Sequence, residues 1–84
     1  MDYTARHRHM LTAVAQGRAR LTCSRHPGLS VDGRWCDQAA AGELVRDGLV
    51  RTAGIGSIDT LVPAMLTAAG AAVLAAFGVS APAA

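Results

Sequence analysis

Residues 43–51, which read Glu-Leu-Val-Arg-Asp-Gly-Leu-Val-Arg, decide the fold of this 84-residue chain. The first part of this segment belongs to an amphipathic helix. Gly48 predicts the end of that helix, because glycine readily takes the left-handed conformation of a helix C-terminus. The apolar residues after it predict a strand over 49–52. A second apolar run, residues 61–65, follows a glycine-containing stretch, so the two runs are typical of a β-hairpin with a long tip.

Helices are predicted on both sides of this hairpin. The helix before it runs from Cys36 or Asp37 to Asp47, and Asp37 can cap its first turn. Its inward stripe consists of Ala40, Ala41, Leu44 and Val45. The helix after it is capped by Thr67 and ends at about Phe77. One face of this last helix carries Gly70, Val73, Leu74 and Phe77.

The first half of the chain predicts one helix and one strand. A helix from about residue 4 to residue 16 is indicated by the spacing of Tyr3, His7, Met10, Leu11 and Val14. Alternating apolar residues predict a short strand over 19–24. Turn signals at His26-Pro27-Gly28 and at Asp32-Gly33 make residues 25–35 a loop or an irregular returning strand. Trp35, the only tryptophan, is expected to anchor this segment against the core.

The predicted order is helix, strand, loop, helix, strand, strand, helix. This order indicates an α+β fold with three helices and a small antiparallel sheet. Pro63 has no backbone N–H, so we expect the strand over 61–65 to lie at an edge of the sheet. The chain is too short for two domains, and we expect one domain over 1–78 with a flexible tail over 79–84.

The second half of the chain resembles the winged-helix fold. Residues 43–51, the glycine-containing tip, and the run Leu-Thr-Ala-Ala-Gly-Ala-Ala-Val-Leu at 66–74 are similar to the helix, wing and helix of small winged-helix proteins, including regulators related to the MarR type, of actinobacterial or phage origin. The resemblance covers about 43–77. Winged helices usually have a further helix before the recognition helix, whereas residues 25–35 contain Pro27, Gly28 and Gly33, which are poor helix formers.

The resemblance implies a small DNA-binding regulator or accessory factor whose helix before the wing enters the major groove of double-stranded DNA. That helix offers Gln38 and Arg46, while the wing tip over 53–59 contains no cation. Residues 1–36 hold six Arg against two Asp, and residues 37–84 hold two Arg against four acids, so the basic charge lies in the first half. The candidate DNA contacts are Arg6, Arg8, Arg18, Arg20, Arg25, Arg34, Gln38, Arg46 and Arg51.

An alternative function is a protein-interaction module on the same scaffold. Ala supplies 18 of the 84 residues, and no charged residue follows Asp59. The last helix therefore presents a flat surface on which another helix can pack, although Ala also simply favours helix formation. A module of this kind, carried by a phage or mobile element, would bind a host protein or form a homodimer. Its contact residues would be Ala68, Ala71, Ala72, Ala75 and Ala76.

The two cysteines leave three alternatives open. Cys23, His26 and Cys36 are residue types that zinc prefers, although their spacing matches no zinc ribbon or finger. A fourth ligand would be Asp37, His7 or His9. A Cys23–Cys36 disulfide would require an oxidising compartment, and two free thiols are the ordinary case. We expect neither a metal nor a cofactor.

Catalytic and membrane-spanning roles are not favoured by the sequence. The acidic residues form no pair at a known catalytic spacing, and Gly54-Ile-Gly56 is too short for a dinucleotide-binding motif. Residues 60–84 carry no charge, but they contain Pro63 and Pro82 and are rich in Ala, which gains little from lipid. We expect a non-enzymatic, cytoplasmic protein.

Overall fold

The computed structural model describes residues 3–23, 27–54, 56 and 60–78. The elements are α1 (Ala5–Ala15), β1 (Ala19–Thr22), β2 (Leu29–Val31), β3 (Arg34–Trp35), α2 (Gln38–Arg46), β4 (Val50–Thr52), β5 (Leu61–Leu66) and α3 (Ala68–Ala76). The predicted α+β class with three helices and a small antiparallel sheet is confirmed. The tail predicted over 79–84 lies outside the described residues.

Each helix begins at a side-chain cap, and for α2 and α3 the cap is the residue that the sequence predicts. Thr4 and His7 form a reciprocal capping box at the start of α1, in which the Thr4 N–H donates to His7 Nδ1 at 2.9 Å. Asp37 accepts hydrogen bonds from the first turn of α2, and Thr67 does the same for α3. The predicted helices therefore differ from the observed ones only at their terminal residues.

All five strands belong to one antiparallel sheet in the order β3-β2-β1-β5-β4. The central strand β1 lies between β2 and β5, so that Arg20 is opposite Ser30 on one side and opposite Pro63 on the other. The β4–β5 pair is the predicted wing hairpin, with Arg51 opposite Met65. The sheet thereby joins the two halves of the chain.

The segment predicted as a loop or an irregular returning strand contains a β-hairpin. Asp32 and Gly33 connect β2 to β3 with φ values of 52° and 82°, and two successive positive φ values are what a two-residue type I′ turn requires. Of the two alternatives predicted for residues 25–35, the returning strand is therefore observed as β2, and β3 is a further strand that the predicted order lacks. Over the described residues 27–37 no helix lies between β1 and α2, so this part of the chain does not form the first helix of a helix-turn-helix.

The predicted edge position of Pro63 is also wrong, because β5 lies between β1 and β4. The carbonyl group of Pro63 accepts a hydrogen bond from the N–H of Ala53, one residue beyond the end of β4. In an antiparallel ladder the N–H and carbonyl groups of one residue point to the same neighbouring strand. The missing N–H of Pro63 therefore faces the place where β4 ends, and the pairing of β5 with β1 is not interrupted.

The helices cover one side of the sheet. α1 packs against β1, β2 and β5 and also against α2 and α3, so it forms the centre of the helical layer. The largest fully buried side chains come from the three helices and from β1 and β2, and they are Leu11, Leu21, Leu29, Leu44 and Leu74. The core lies between the helical layer and one face of the sheet. Within the described residues, no helix has the length and apolar character needed to cross a bilayer.

Candidate nucleic-acid interface

In the described part of the chain, no helix or further strand covers the side of the sheet that faces away from the helices. Along β1, Ala19 and Leu21 are buried, whereas Arg20 between them is exposed. Residues directly opposite each other in an antiparallel sheet share a face, so the register extends this alternation to the neighbouring strands. We call this surface the open sheet face, and it consists of Arg20, Thr22, Ser30, Trp35, Arg51, Leu61, Pro63 and Met65.

One row of residues crosses four strands of the open sheet face. Trp35 is opposite Ser30, Ser30 is opposite Arg20, and Arg20 is opposite Pro63. Neighbouring strands are about 4.8 Å apart, so the α-carbons of Trp35 and Arg20 are separated by about 10 Å. Ser30 is only 5% exposed, and we attribute this to the two long side chains on either side of it.

Trp35 is not the core anchor that the sequence predicts. It is 60% exposed and, with Leu61 at 42%, is one of the two exposed large hydrophobic residues in the described chain. Its ring lies beside Gly28, where an added β-carbon would come within 2.9 Å of the ring and within 3.2 Å of the Gln38 side chain. The lack of a side chain at Gly28 therefore allows Trp35 and Gln38 to lie close to the backbone.

The strands carry positive charge without compensating acids. Arg20, Arg34 and Arg51 lie on β1, β3 and β4, and no strand contains Asp or Glu. In the part of the chain that the structure describes, none of these three arginines has a carboxylate within 4.0 Å. Arg34 is opposite Val31 and lies on the other face of the sheet, whereas Arg20 and Arg51 share the open sheet face.

The described carboxylates all have partners away from this face. Asp32 pairs with Arg18 (2.5 Å), Asp37 with Arg6, Glu43 faces His7 (3.5 Å), and Asp47 accepts from the Tyr3 hydroxyl (2.9 Å). Hydrogen bonds from the backbone N–H groups of Ala40 and Ala39, together with the Arg6 guanidinium, lower the pKa of Asp37. Partial loss of solvent acts in the opposite direction but is outweighed. The acidic charge of the described residues is thus held in the helical layer and in the β2–β3 turn.

The structure distributes the predicted DNA-contacting arginines over several surfaces. Arg6 and Arg18 are engaged in ion pairs, and Arg18 also donates from Nε to Gln16. Arg8 is exposed on α1, which is in the helical layer, and Arg25 lies outside the described residues. Arg20 and Arg51 are the pair that the fold brings to the open sheet face.

The exposed side of α2 offers little positive charge. Gln38 and Arg46 are exposed at opposite ends of this helix. Between them, Glu43 is half-exposed, and its carboxylate faces the buried Nε2 of His7, which has no hydrogen-bond partner. His7 itself is 5% exposed and lies edge-on to the ring of Tyr3, so it is a core residue as its position on the apolar stripe predicts.

The predicted partner-binding alanines lie on α3 with different exposures. Ala71 is half-buried, and the exposed members are Ala68, Ala72, Ala75 and Ala76. The side of α3 that carries Gly70 and Leu74 is buried against the rest of the domain. The small-residue surface is therefore available on the outer side of this helix.

Both cysteines are free thiols. Cys23 and Cys36 are half-buried, and burial raises the pKa of the Cys36 thiol. No group of three or more potential metal ligands occurs among the described residues, and His26 lies outside them. Cys23 also lines a cleft of about 540 Å³ together with Leu21, Val45 and Val50. The lining of this cleft includes Pro27 and Gly56, which are next in sequence to residues that the structure does not describe. We therefore assign no ligand to the cleft.

The sequence interpretation missed the apolar part of the open sheet face. Leu61, Pro63 and Met65 are two residues apart along β5 and therefore share a face, but the residues between them are also apolar, so the sequence shows no alternation of hydropathy there. The strand order was needed to place them beside Arg20 and Arg51. Comparison of the chain with protein-family models, with curated proteins and with solved structures finds no match.

Proposed function

We propose that this protein is a nucleic-acid-binding regulator or accessory factor that contacts its ligand through the open sheet face. The observation that supports this most directly is the juxtaposition of Arg20 and Arg51, without carboxylate partners in the described chain, with the exposed Trp35. Nucleic acids combine a polyanionic backbone with flat apolar bases, and this surface offers a complement to both.

The two arginines are placed to contact separate phosphate groups. Arg20 on β1 and Arg51 on β4 lie on either side of β5, and their β5 partners, Pro63 and Met65, are two residues apart. Strand spacing and rise per residue then separate the two α-carbons by about 12 Å. Arginine is well suited to this task, because its planar guanidinium can donate two parallel hydrogen bonds to one phosphate.

The open sheet face supports the proposal better than the surface used by conventional winged helices. On α2, Glu43 lies between Gln38 and Arg46, and its negative charge repels the phosphate groups of DNA. The wing tip over 53–59 contains no cation. The strands, by contrast, bring together basic side chains with no acidic residue among them.

Binding of random-sequence DNA, single-stranded and duplex, over a series of salt concentrations tests this proposal. We expect the logarithm of the association constant to fall linearly with the logarithm of salt concentration, because phosphate contacts release counterions. The double variant Arg20→Gln/Arg51→Gln should weaken binding to every sequence and reduce the slope by about 0.7 to 0.9 per arginine removed.

Arg8→Gln is the matched control, because Arg8 lies in the helical layer, is exposed and forms no ion pair with a described residue. It should leave the salt slope unchanged. The proposal is wrong if neither form of DNA binds at low salt, or if Arg8→Gln weakens binding as much as the double variant does. Self-association without DNA binding, measured by sedimentation, would instead favour the interaction module with the exposed alanines of α3 as its contact surface.

A further inference from the structure

We infer that the ligand of the open sheet face is single-stranded DNA, with a base stacked on Trp35. This inference rests on the proposed function and specifies the ligand for the same surface. Three features of the surface support the inference: the width of the sheet, the position of the Trp35 ring, and the apolar residues between the two arginines.

The width of the sheet disfavours reading of duplex bases. Five strands at about 4.8 Å spacing give a surface about 19 Å wide. The major groove of B-DNA is about 12 Å wide and admits a helix or a two-stranded ribbon. A sheet of this width does not fit inside the groove of undeformed B-DNA, so it does not place Trp35 or Arg20 against base edges there. A single strand can turn its bases towards a flat sheet, because its bases are not covered by a complementary strand.

The Trp35 ring is positioned as a stacking platform. Its position beside Gly28 places it next to the backbone of β2, and the residue nevertheless remains 60% exposed. Stacking of a base on an aromatic ring tolerates any base, because every base has a π face. The Gln38 side chain lies beside the same glycine and provides an amide donor and acceptor for the edge of a stacked base.

The remaining open sheet face fits the sugar-phosphate chain of DNA. Arg20 is in the same cross-strand row as Trp35, so a phosphate near the stacked base lies within reach of its guanidinium. Leu61, Pro63 and Met65 form the apolar surface between Arg20 and Arg51. A ribose 2′-hydroxyl placed against these side chains would lose hydrogen bonds to water, which disfavours RNA relative to DNA.

The direct test measures fluorescence anisotropy of a labelled oligothymidylate with Trp35→Ala, Trp35→Phe and the unmodified chain. Removing the ring should weaken binding by at least about fivefold, which is the lower limit for loss of one stacked base. Phenylalanine should restore most of the affinity, because it retains an aromatic face. Because Trp35 is the only tryptophan, its intrinsic fluorescence should also be quenched when the oligonucleotide binds.

Folding of both variants is checked by circular dichroism and urea denaturation, and it should be retained because Trp35 lies outside the core. Competition with RNA of the same sequence and with duplex DNA completes the test. We expect the single-stranded DNA to compete best and the duplex to compete least.

The outcomes separate this inference from the proposed function. If the duplex binds as tightly as the single strand while Arg20→Gln/Arg51→Gln still weakens binding, the surface binds nucleic acid but the single-stranded assignment is wrong. Equal or tighter binding of RNA overturns the assignment to DNA, and unchanged affinity of folded Trp35→Ala overturns stacking. A shift in Trp35 emission with protein concentration alone, accompanied by dimer formation in sedimentation, shows that a second copy of the chain covers this face.

Discussion

Gly70 of α3 lies directly against the backbone carbonyl group of Leu49, just before β4. A β-carbon on Gly70 would overlap the carbonyl oxygen of Leu49 and would lie 2.9 Å from its carbonyl carbon. The same oxygen accepts a hydrogen bond from the Thr67 N–H at 3.0 Å. The first turn of α3 is therefore fixed to the connection between α2 and β4. This packing explains the Thr-x-x-Gly spacing of residues 67–70.

Replacing Gly70 with Ala should destabilise the domain by at least about 2 kcal/mol, because the added carbon must push α3 away from the Leu49 backbone. Gly42→Ala is the matched control, since Gly42 is also helical and has no atom within 4 Å of the position of an added β-carbon. That variant should be more stable than the unmodified chain by about 0.5–1 kcal/mol. Urea denaturation measures both changes, and equal stabilities of the two variants would contradict the close packing at Gly70.

Thr67→Ala should lower the free energy of unfolding by about 1–2 kcal/mol, because the Thr67 hydroxyl has two roles. It accepts from the Gly70 N–H at 3.0 Å, and it donates to the Gly48 carbonyl oxygen at 2.5 Å. Thr67→Ser keeps the hydroxyl and should retain most of the stability. Thermal denaturation of the two variants distinguishes loss of the hydroxyl from loss of the methyl group, and a larger effect of serine than of alanine would contradict these roles.

The stability contributed by the Asp37 carboxylate should disappear in acid. Its pKa in the folded state is lowered from 3.8, so the ionised form stabilises the fold above that value and the contribution is lost as pH falls through the folded pKa. Asp37→Asn retains a good N-cap but removes the charge that pairs with Arg6. The stability difference between the two chains should be present at pH 6 and shrink below about pH 4. A difference that does not change with pH would show that the Asp37 charge is not involved.

Tyr3 should ionise above its ordinary pKa of 10.0 in the folded protein. Loss of solvent contact is the main cause, followed by the hydrogen bond to Asp47 and the negative charges of Asp47 and Glu43, all of which favour the neutral phenol. Because Tyr3 is the only tyrosine, the ultraviolet absorbance of tyrosinate reports it directly. Asp47→Asn should lower the midpoint of the Tyr3 titration towards the ordinary pKa of 10.0. A midpoint that this change leaves unaltered would exclude Asp47 as a cause.

The helices were predictable because their boundaries are encoded by residues close together in the chain. The caps at Thr4, Asp37 and Thr67 act within their own first turns. Gly48 and Gly78 follow α2 and α3 with φ values of 72° and 84°, in the left-handed region that glycine adopts without strain. These signals need no knowledge of the tertiary structure.

The candidate site was predicted only in part. Arg20 and Arg51 were expected to bind an anionic ligand, but so were Arg6 and Arg18, which the folded chain pairs with acids from distant positions. Trp35 was placed in the core, because an isolated tryptophan next to turn residues gives no indication of the face on which it lies. Ion pairing and exposure depend on which segments meet, and residue type alone does not specify this.

The sequence by itself determined the α+β class and the helix boundaries, because the signals for these depend on residues that are close together in the chain. Only the tertiary structure decided that β5 lies inside the sheet, that residues 29–35 add two strands to it, and that Arg20, Trp35 and Arg51 share an uncovered face. The physical reason is that a period of two assigns side chains to two faces but does not specify which strands pair. Pairing between β1 and β5 joins residues such as Arg20 and Pro63 that are far apart in the chain, and α1 packs against both strands.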